Sequence, residues 1–523
     1  MDEFTICREI ISRLSSHPLS PSRLEHLKIE VCRAHHSPVI PKNSAILAAA
    51  EPEERERLRG LLLLKPTRTL SGVAPVAVMT SPAPCPHGKC LPCPGGPDHP
   101  FGTPQSYTGE EPAALRAREH GYDPYLQVRA RLDQFQALGH HVDKAELIIM
   151  GGTMTARPSL YQRGFVTECL RAMNEFGGHR SAADSFEAFA MENEAARVRC
   201  VAMTFETRPD YCRKEHVGEM LSLGVTKVEL GVQHVDDRIL ELNHRGCRVE
   251  DAVKANRLLR DSGFKVGFHV MPNLPGSTLT DDEGMFRTLF SDERFQPDFL
   301  KIYPTLVTPG SGIEELYLEG GYRPYPEFDL VDLIARAKTM LPPYVRLQRV
   351  QRDIPAKLII AGSIHGNLRQ MAKVRLGEIG GSCRCIRCRE AGRSSPEGEA
   401  SIETLTYQCC GGTEHFVSAV AGDSLIGYAR LRFPGTTESS ELENASLLRE
   451  LHVYGSMVPI GKPAGGPEWQ HRSYGGLLLE RAEELSRSEG FCRIAVLSGI
   501  GVRPYYRQRG YERRGPYMVK ELT

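Results

Sequence analysis

The chain has 523 residues, more than one ordinary core accommodates, so about two to four domains are expected. Its residues are 41% hydrophobic and 25% charged, as in soluble globular proteins, and no apolar run reaches membrane-spanning length. With 65 basic and 65 acidic residues the formal charge is zero, so affinity for nucleic acid has to come from local patches.

Residues 1–72 read as a helical region and a candidate nucleic-acid contact. Phe4, Ile10, Ile11 and Leu14 fall at helical spacing, and 45–64 is rich in good helix formers. The first residues carry acids and no continuous apolar stretch, unlike a secretion signal. The 15 cysteines, an odd number with no export signal, point to the reducing cytoplasm and to thiolate ligands in place of a disulfide framework.

Residues 73–344 follow a different pattern. Short apolar runs at 73–79, 147–150, 201–205, 228–232, 266–271 and 299–303 predict parallel strands buried on both faces. The gaps between them are long enough for crossover helices, so the fold class is α/β with a partial parallel barrel. Chemistry in such a fold gathers where strands end. The exits carry Cys85, then Gly151, Gly152 and Thr153, then Glu206, then Gln233.

Cys85, Cys90 and Cys93 form the sharpest signal. Three thiolates within nine residues, in a Pro/Gly loop after the first strand, suit three corners of a [4Fe–4S] cube. The open fourth iron then accepts the amino and carboxylate groups of S-adenosylmethionine, a source of carbon-radical chemistry. Spacing alone also fits a structural zinc loop with His87 or a distant residue as fourth ligand. Placement after the first strand, and the glycine pair after the second, favour the cluster.

Residues 345–395 are a basic linker containing Cys383, Cys385 and Cys388. These predict zinc, with His365, Cys409, Cys410 or His415 as candidate fourth ligand; another iron–sulfur centre is the alternative. The excess of arginine reads either as a solvated face or as a phosphate-contacting surface for a nucleic acid. Residues 396–523 read as a second, α+β domain with strands at 425–433, 450–454 and 494–497 and a helix at 477–488. Tyr474, Gly475 and Gly476 open that helix, whose bare N–H groups suit a pyrophosphate. Tyr506, with Tyr505 beside it, is placed to protonate a departing thiolate.

CPHGKCLPCPGG (85–96), HVDKAELIIMGGT (141–153), ETRPD (206–210), ELGVQ (229–233), HVMPNLPGS (269–277) and ELHVYG (450–455) are long and irregular, and with them the chain resembles the Elp3 family, the catalytic subunits of Elongator, over about residues 73–523. The resemblance implies a radical S-adenosylmethionine domain joined to a GNAT-type acetyltransferase domain. It implies formation of 5-carboxymethyluridine at the wobble uridine (U34) of the tRNA anticodon loop from acetyl-CoA. Cys85, Cys90 and Cys93 would hold the cluster. Glu450, Leu451, His452, Val453, Tyr474, Gly475, Gly476 and Tyr506 would contact acetyl-CoA, and Lys144 would reach the same ligand from the radical domain. Two departures are visible: the x4-x2 cysteine spacing, where most radical enzymes use x3-x2, and Ser473, where the acetyltransferase pattern has Gly. The reading also requires an electron donor outside the chain and admits a homodimer, with no membrane partner. Its rival is a protein lysine acetyltransferase with a structural iron–sulfur domain; the general base and peptide groove that function needs are not identifiable.

Overall fold

The computed structural model describes residues 2–16, 21–64, 69, 72–98, 102–394, 398–437, 439–454 and 474–522. Four helices, Glu3–Ser16, Pro21–Ala34, Asn43–Ala49 and Pro52–Leu62, close on a core of their own around Ile10, Ile11, Val31, Ile46 and Leu62.

Seven parallel strands follow: β1 (Ala74–Met79), β2 (Lys144–Met150), β3 (Arg199–Thr207), β4 (Lys227–Gln233), β5 (Lys265–Val270), β6 (Phe299–Ile302) and β7 (Arg346–Val350). Their order in the sheet is their order in the chain, which leaves β1 and β7 as the edges of an open barrel. Helices cross between them and bury one face. In Val249–Asp261, for example, Ala252, Ala255 and Leu259 meet the sheet.

The strands are not apolar on both faces. Val228, Leu230 and Val232 of β4 point to the helices, while Lys227, Glu229, Gly231 and Gln233 line the barrel interior. β5 repeats this with Val266, Phe268 and Val270 outside and Lys265 and His269 inside. The period of two is that of any strand; here its polar half faces an internal cavity. The seventh strand opens the basic segment that reads as a linker. Arg346, Gln348 and Arg349 interrupt its apolar residues, which hid it from a search for apolar runs.

The second sheet contains β8 (Ser401–Cys409), β9 (Gly412–Ala421), β10 (Ser424–Phe433), β11 (Ala445–Val453), β12 (Arg493–Val496), β13 (Glu512–Arg514) and β14 (Tyr517–Glu521), in the order 13-14-12-11-10-9-8. All neighbours are antiparallel except β11 and β12. Helix Tyr474–Ser488 packs on it through Leu478, Leu479 and Ala482.

This sheet docks on the end of the barrel where the strands begin. One apolar core runs through the junction, from Phe264 and Val266 to Phe416, Tyr428 and Leu447. Arginines and carboxylates are buried with it. Arg449 pairs with Asp298 at 2.7 Å and with Glu414 at 2.7 Å, Arg260 pairs with Glu414 at 3.0 Å, and Arg432 pairs with Asp261 at 2.6 Å. Among the described residues no helix is long and apolar enough to cross a membrane.

Candidate active site

A cavity of about 1420 Å³ runs inside the barrel from the strand exits to the docked second sheet. Its upper wall is the cysteine loop that leaves β1. Backbone bonds tie this loop to two distant segments: Leu91 N–H donates to Asn243 O at 3.1 Å, and Ile313 N–H donates to Leu91 O at 3.0 Å. Cys85, Cys90 and Cys93 are free thiols lining the cavity.

Polar groups surround the three sulfurs. The Thr153 hydroxyl lies 3.5 Å from Cys85, and the Gln105 amide donates to Cys93 at 2.9 Å. His87 Nε2 lies 3.1 Å from Cys90 and 3.0 Å from the Arg208 guanidinium. Burial, reinforced by Arg208 and Arg245, lowers the His87 pKa to about 4, so the ring is neutral. Arg208 can only donate to that nitrogen, so its lone pair is occupied and His87 is a poor fourth ligand for an ion in this loop.

Sulfur spacing also separates a cluster from a single ion. Around one tetrahedral ion with bonds of about 2.3 Å, thiolates lie within about 4 Å of one another. Among the described residues two ligand triads fall within 4.8 Å, Cys383–Cys385–Cys388 and Glu206–Glu229–His269, and the 85–93 set is not one of them. The 85–93 sulfurs are thus not gathered around a single ion as the 383–388 sulfurs are, and thiolates are also the usual ligands of a multinuclear cluster.

Below the loop, Gly152, Thr153, Glu206 and Gln233 line the cavity as their positions at strand exits predict. Gly151 does not. It has φ +117°, and a Cβ there would lie 2.4 Å from Thr80 Oγ1, so it serves close packing behind the wall. Gln233 has φ +69° and a buried Oε1 without a hydrogen-bond partner.

The middle of the cavity holds charges that the apolar-run reading missed. Lys301 donates to Glu206 at 3.1 Å and, more closely, to Glu229. Lys227 pairs with Glu229 at 2.8 Å, and His269 Nε2 lies 2.9 Å from Glu229. Tyr107 Oη donates to Glu206 at 2.8 Å. Burial alone would raise the Glu229 pKa; Lys227 and Lys301 outweigh it and hold the carboxyl well below its usual range. Two carboxylates and an imidazole would suit a cation, and the Lys301 ammonium is that cation. The signal was present in sequence as the alternate polar residue of each strand.

At the lower end β11 and β12 part company. They share a ladder only between 445–448 and 493–496, and β11 runs on to Val453 paired with β10 alone. Glu450, Leu451, His452 and Val453 therefore border an open seam of the sheet and line the cavity. Such a seam offers backbone groups to an extended amide chain. Gly475, Gly476 and Tyr506 line the same end, as does Lys144, the first residue of β2. Tyr474 packs against the second core and does not line the cavity. Ser473 lies outside the described residues.

Arg430 anchors Glu450 at 2.8 Å. Burial would raise the Glu450 pKa, but Arg430 and Lys265 together lower it, so the group is a carboxylate. Burial drives the His452 imidazole down to about 4, and its Nε2 is buried without a partner. Burial also raises the Tyr506 phenol above its ordinary value, keeping it a proton donor.

Cys383, Cys385 and Cys388 stand close enough for one ion. None of the four expected fourth ligands joins them. His365 pairs with Glu327 at 3.1 Å, His415 Nδ1 lies 2.9 Å from the Thr406 hydroxyl, and Cys409 and Cys410 face the carbonyls of Phe295 and Arg294. The basic segment around the triad is also less free than its charge count implies. Arg375 is held by Asp332 at 2.7 Å, Arg349 by Asp353 at 2.5 Å and Arg393 by Glu390 at 2.5 Å. Lys373, Arg384 and Arg387 pair with no carboxylate among the described residues and remain as phosphate-contact candidates.

Comparison with known proteins agrees with this anatomy. The ELP3 N-terminal domain matches residues 4–70, the Radical SAM superfamily matches 83–289, and the Radical_SAM C-terminal domain matches 297–376. A protein of Methanocaldococcus infernus named tRNA uridine(34) acetyltransferase is 46% identical over 518 residues, covering 96% of each chain. Elongator complex protein 3 of Homo sapiens is 43% identical, covering 92% of this chain and 90% of its own. The solved archaeal Methanocaldococcus infernus Elp3 with an N-terminal deletion superposes with a TM-score of 0.76 at 41% identity, covering 87% of this chain and all of that one.

Proposed function

This chain belongs to the Elp3 family, and from that membership we propose that it modifies uridine 34 of tRNA, forming 5-carboxymethyluridine from acetyl-CoA by radical S-adenosylmethionine chemistry. The observation that carries the reading is one continuous cavity, with Cys85, Cys90 and Cys93 at one end and residues 450–453, Gly475, Gly476 and Tyr506 at the other. An acetyl group held at the lower end needs no encounter through solvent to meet radical chemistry at the upper end.

Cys85, Cys90 and Cys93 hold a [4Fe–4S] cluster on this reading. When bound, the cluster and S-adenosylmethionine supply a carbon radical able to take a hydrogen atom from an acetyl methyl group. The chain does the rest by placement. Gly152, Thr153 and Gln233 shape the space beside the cysteines, and the unpaired Gln233 Oε1 awaits a donor. Lys301, Glu206 and Tyr107 fix a polar floor for a nucleobase. Residues 450–453 and the start of helix Tyr474–Ser488 receive acetyl-CoA, Lys144 approaches it from the barrel, and the Tyr506 phenol donates to the departing sulfur. Single-stranded loops present unstacked bases, which suits the anticodon loop as substrate. The Cys383–Cys385–Cys388 triad binds zinc with a fourth ligand from outside the expected four.

The test is anaerobic incubation of the reduced protein with S-adenosylmethionine, acetyl-CoA and tRNA, followed by mass spectrometry. 5′-Deoxyadenosine and carboxymethyluridine are expected, and Cys90→Ser is expected to abolish both. Acetylated lysine without either product would establish the rival protein acetyltransferase instead.

A further inference from the structure

Resting on the reading that Cys85, Cys90 and Cys93 hold the cluster, we propose that Arg245 sets its reduction potential by placing an uncompensated buried charge against the Cys90 sulfur. Arg245 is 8% exposed, and one terminal nitrogen lies 3.8 Å from Cys90 Sγ. The other donates to Gly231 O at 2.5 Å, and Nε is buried with no partner. No carboxylate pairs with it among the described residues.

The neighbouring arginine is built differently. Arg208 also reaches this corner, donating to Arg245 O at 2.9 Å, but Asp210 takes its guanidinium through two bonds of 2.9 Å. One of the two cations is thus neutralised and the other is not. The other two cysteines meet only neutral donors, the Gln105 amide and the Thr153 hydroxyl. The segment that carries Arg245 also pins the loop, because Asn243 O accepts from Leu91 N–H. Gly246 follows with φ +65° and lies against His87, where a Cβ would come within 2.9 Å of the ring. The turn therefore fixes the guanidinium relative to Cys90.

Adding an electron to a cluster makes it more negative. A nearby positive charge in a poorly screened interior favours that state, and hydrogen bonds to sulfur act in the same direction. Arg245 acts through Cys90 and is a positioning residue, not a group that meets substrate.

The experiment is a redox titration of the full chain, anaerobically reconstituted and followed by electron paramagnetic resonance without S-adenosylmethionine. Iron and sulfide content check loading. Arg245→Gln is expected to shift the reduction equilibrium about tenfold against the reduced cluster, a midpoint lower by about 59 mV for one electron. Arg245→Lys restores most of that shift. Asp210→Asn, which releases the Arg208 charge at the same corner, moves the midpoint up. A loaded Arg245→Gln protein with an unmoved midpoint overturns the proposal, even where S-adenosylmethionine binds more weakly, since the arginine then serves that ligand. Where Arg245→Gln fails to load, an unmoved midpoint in Asp210→Asn overturns it equally. Wild-type protein without a cube-type signal sinks the cluster reading itself, and this inference with it.

Discussion

Arg449 of the second sheet grips Asp298 at the foot of the barrel with two hydrogen bonds, 2.7 and 2.9 Å long, and both side chains are fully buried. Burial would raise the Asp298 carboxyl, but Arg260 and Arg449 reverse it, so the group stays far below its ordinary pKa. Its folded pKa is depressed, so its contribution is complete above about pH 4, the unfolded value, and is lost as pH falls below it. Arg449→Met is expected to destabilise the chain by about 3 kcal/mol, because the buried Asp298 carboxylate loses its two short arginine bonds and keeps, as ion pairs, only the 3.4 Å pairings with Arg260 and Arg430. Urea unfolding at pH 7 measures this.

Gly499 is where the second domain touches β3. A Cβ there would lie 2.0 Å from Val201 O, a backbone atom that cannot swing away. Gly499→Ala is expected to cost about 1–3 kcal/mol by overpacking the junction. It should also weaken acetyl-CoA binding, because Gly499, Tyr505 and Tyr506 line the same end of the cavity. Calorimetric titration with acetyl-CoA, set beside the thermal midpoint, reads both effects.

His452 makes the protein acid-sensitive. Its folded pKa of about 4 lies below the unfolded value of about 6.5. The folded state binds fewer protons, so stability is complete above about pH 6.5 and falls as pH drops towards 4. His452→Gln is expected to remove roughly 1–3 kcal/mol of the acid loss between those limits. Unfolding midpoints of both proteins at pH 7.5 and pH 5 provide the comparison; equal losses would refute it.

The two cysteine triads should load independently. Elemental analysis is expected to find zinc as well as cluster iron in each chain. Cys385→Ser should lose the zinc and keep the iron, while Cys90→Ser should do the reverse. Loss of both metals from either variant would show that the sites fold as one.

Much of this was legible in the chain before any coordinates. Six of the seven parallel strands announce themselves as apolar runs, because side chains facing the crossover helices must be apolar in any barrel of this kind. Both cysteine triads are local, so their spacing marks them as thiolate ligand sets, though spacing alone leaves the choice between zinc and a cluster open. The long motifs that place the chain in its family are likewise contiguous, and helix Tyr474–Ser488 is opened by its own glycines.

The tertiary structure decided what depends on distance across the fold. Lys227 and Glu229 are local neighbours on β4, but Lys301 comes from β6, and only the curved sheet brings its ammonium to Glu229 inside the barrel. The expected fourth zinc ligands were plausible by type, yet each is engaged elsewhere, His365 by Glu327, His415 by Thr406 across a hairpin, and Cys409 and Cys410 by carbonyls more than a hundred residues away. Arg245 is 155 residues from Cys90 and belongs to no local pattern. Local composition reports which face of a strand is wet or dry. Which charges meet across that face is fixed by register and docking, and those are properties of the assembled chain.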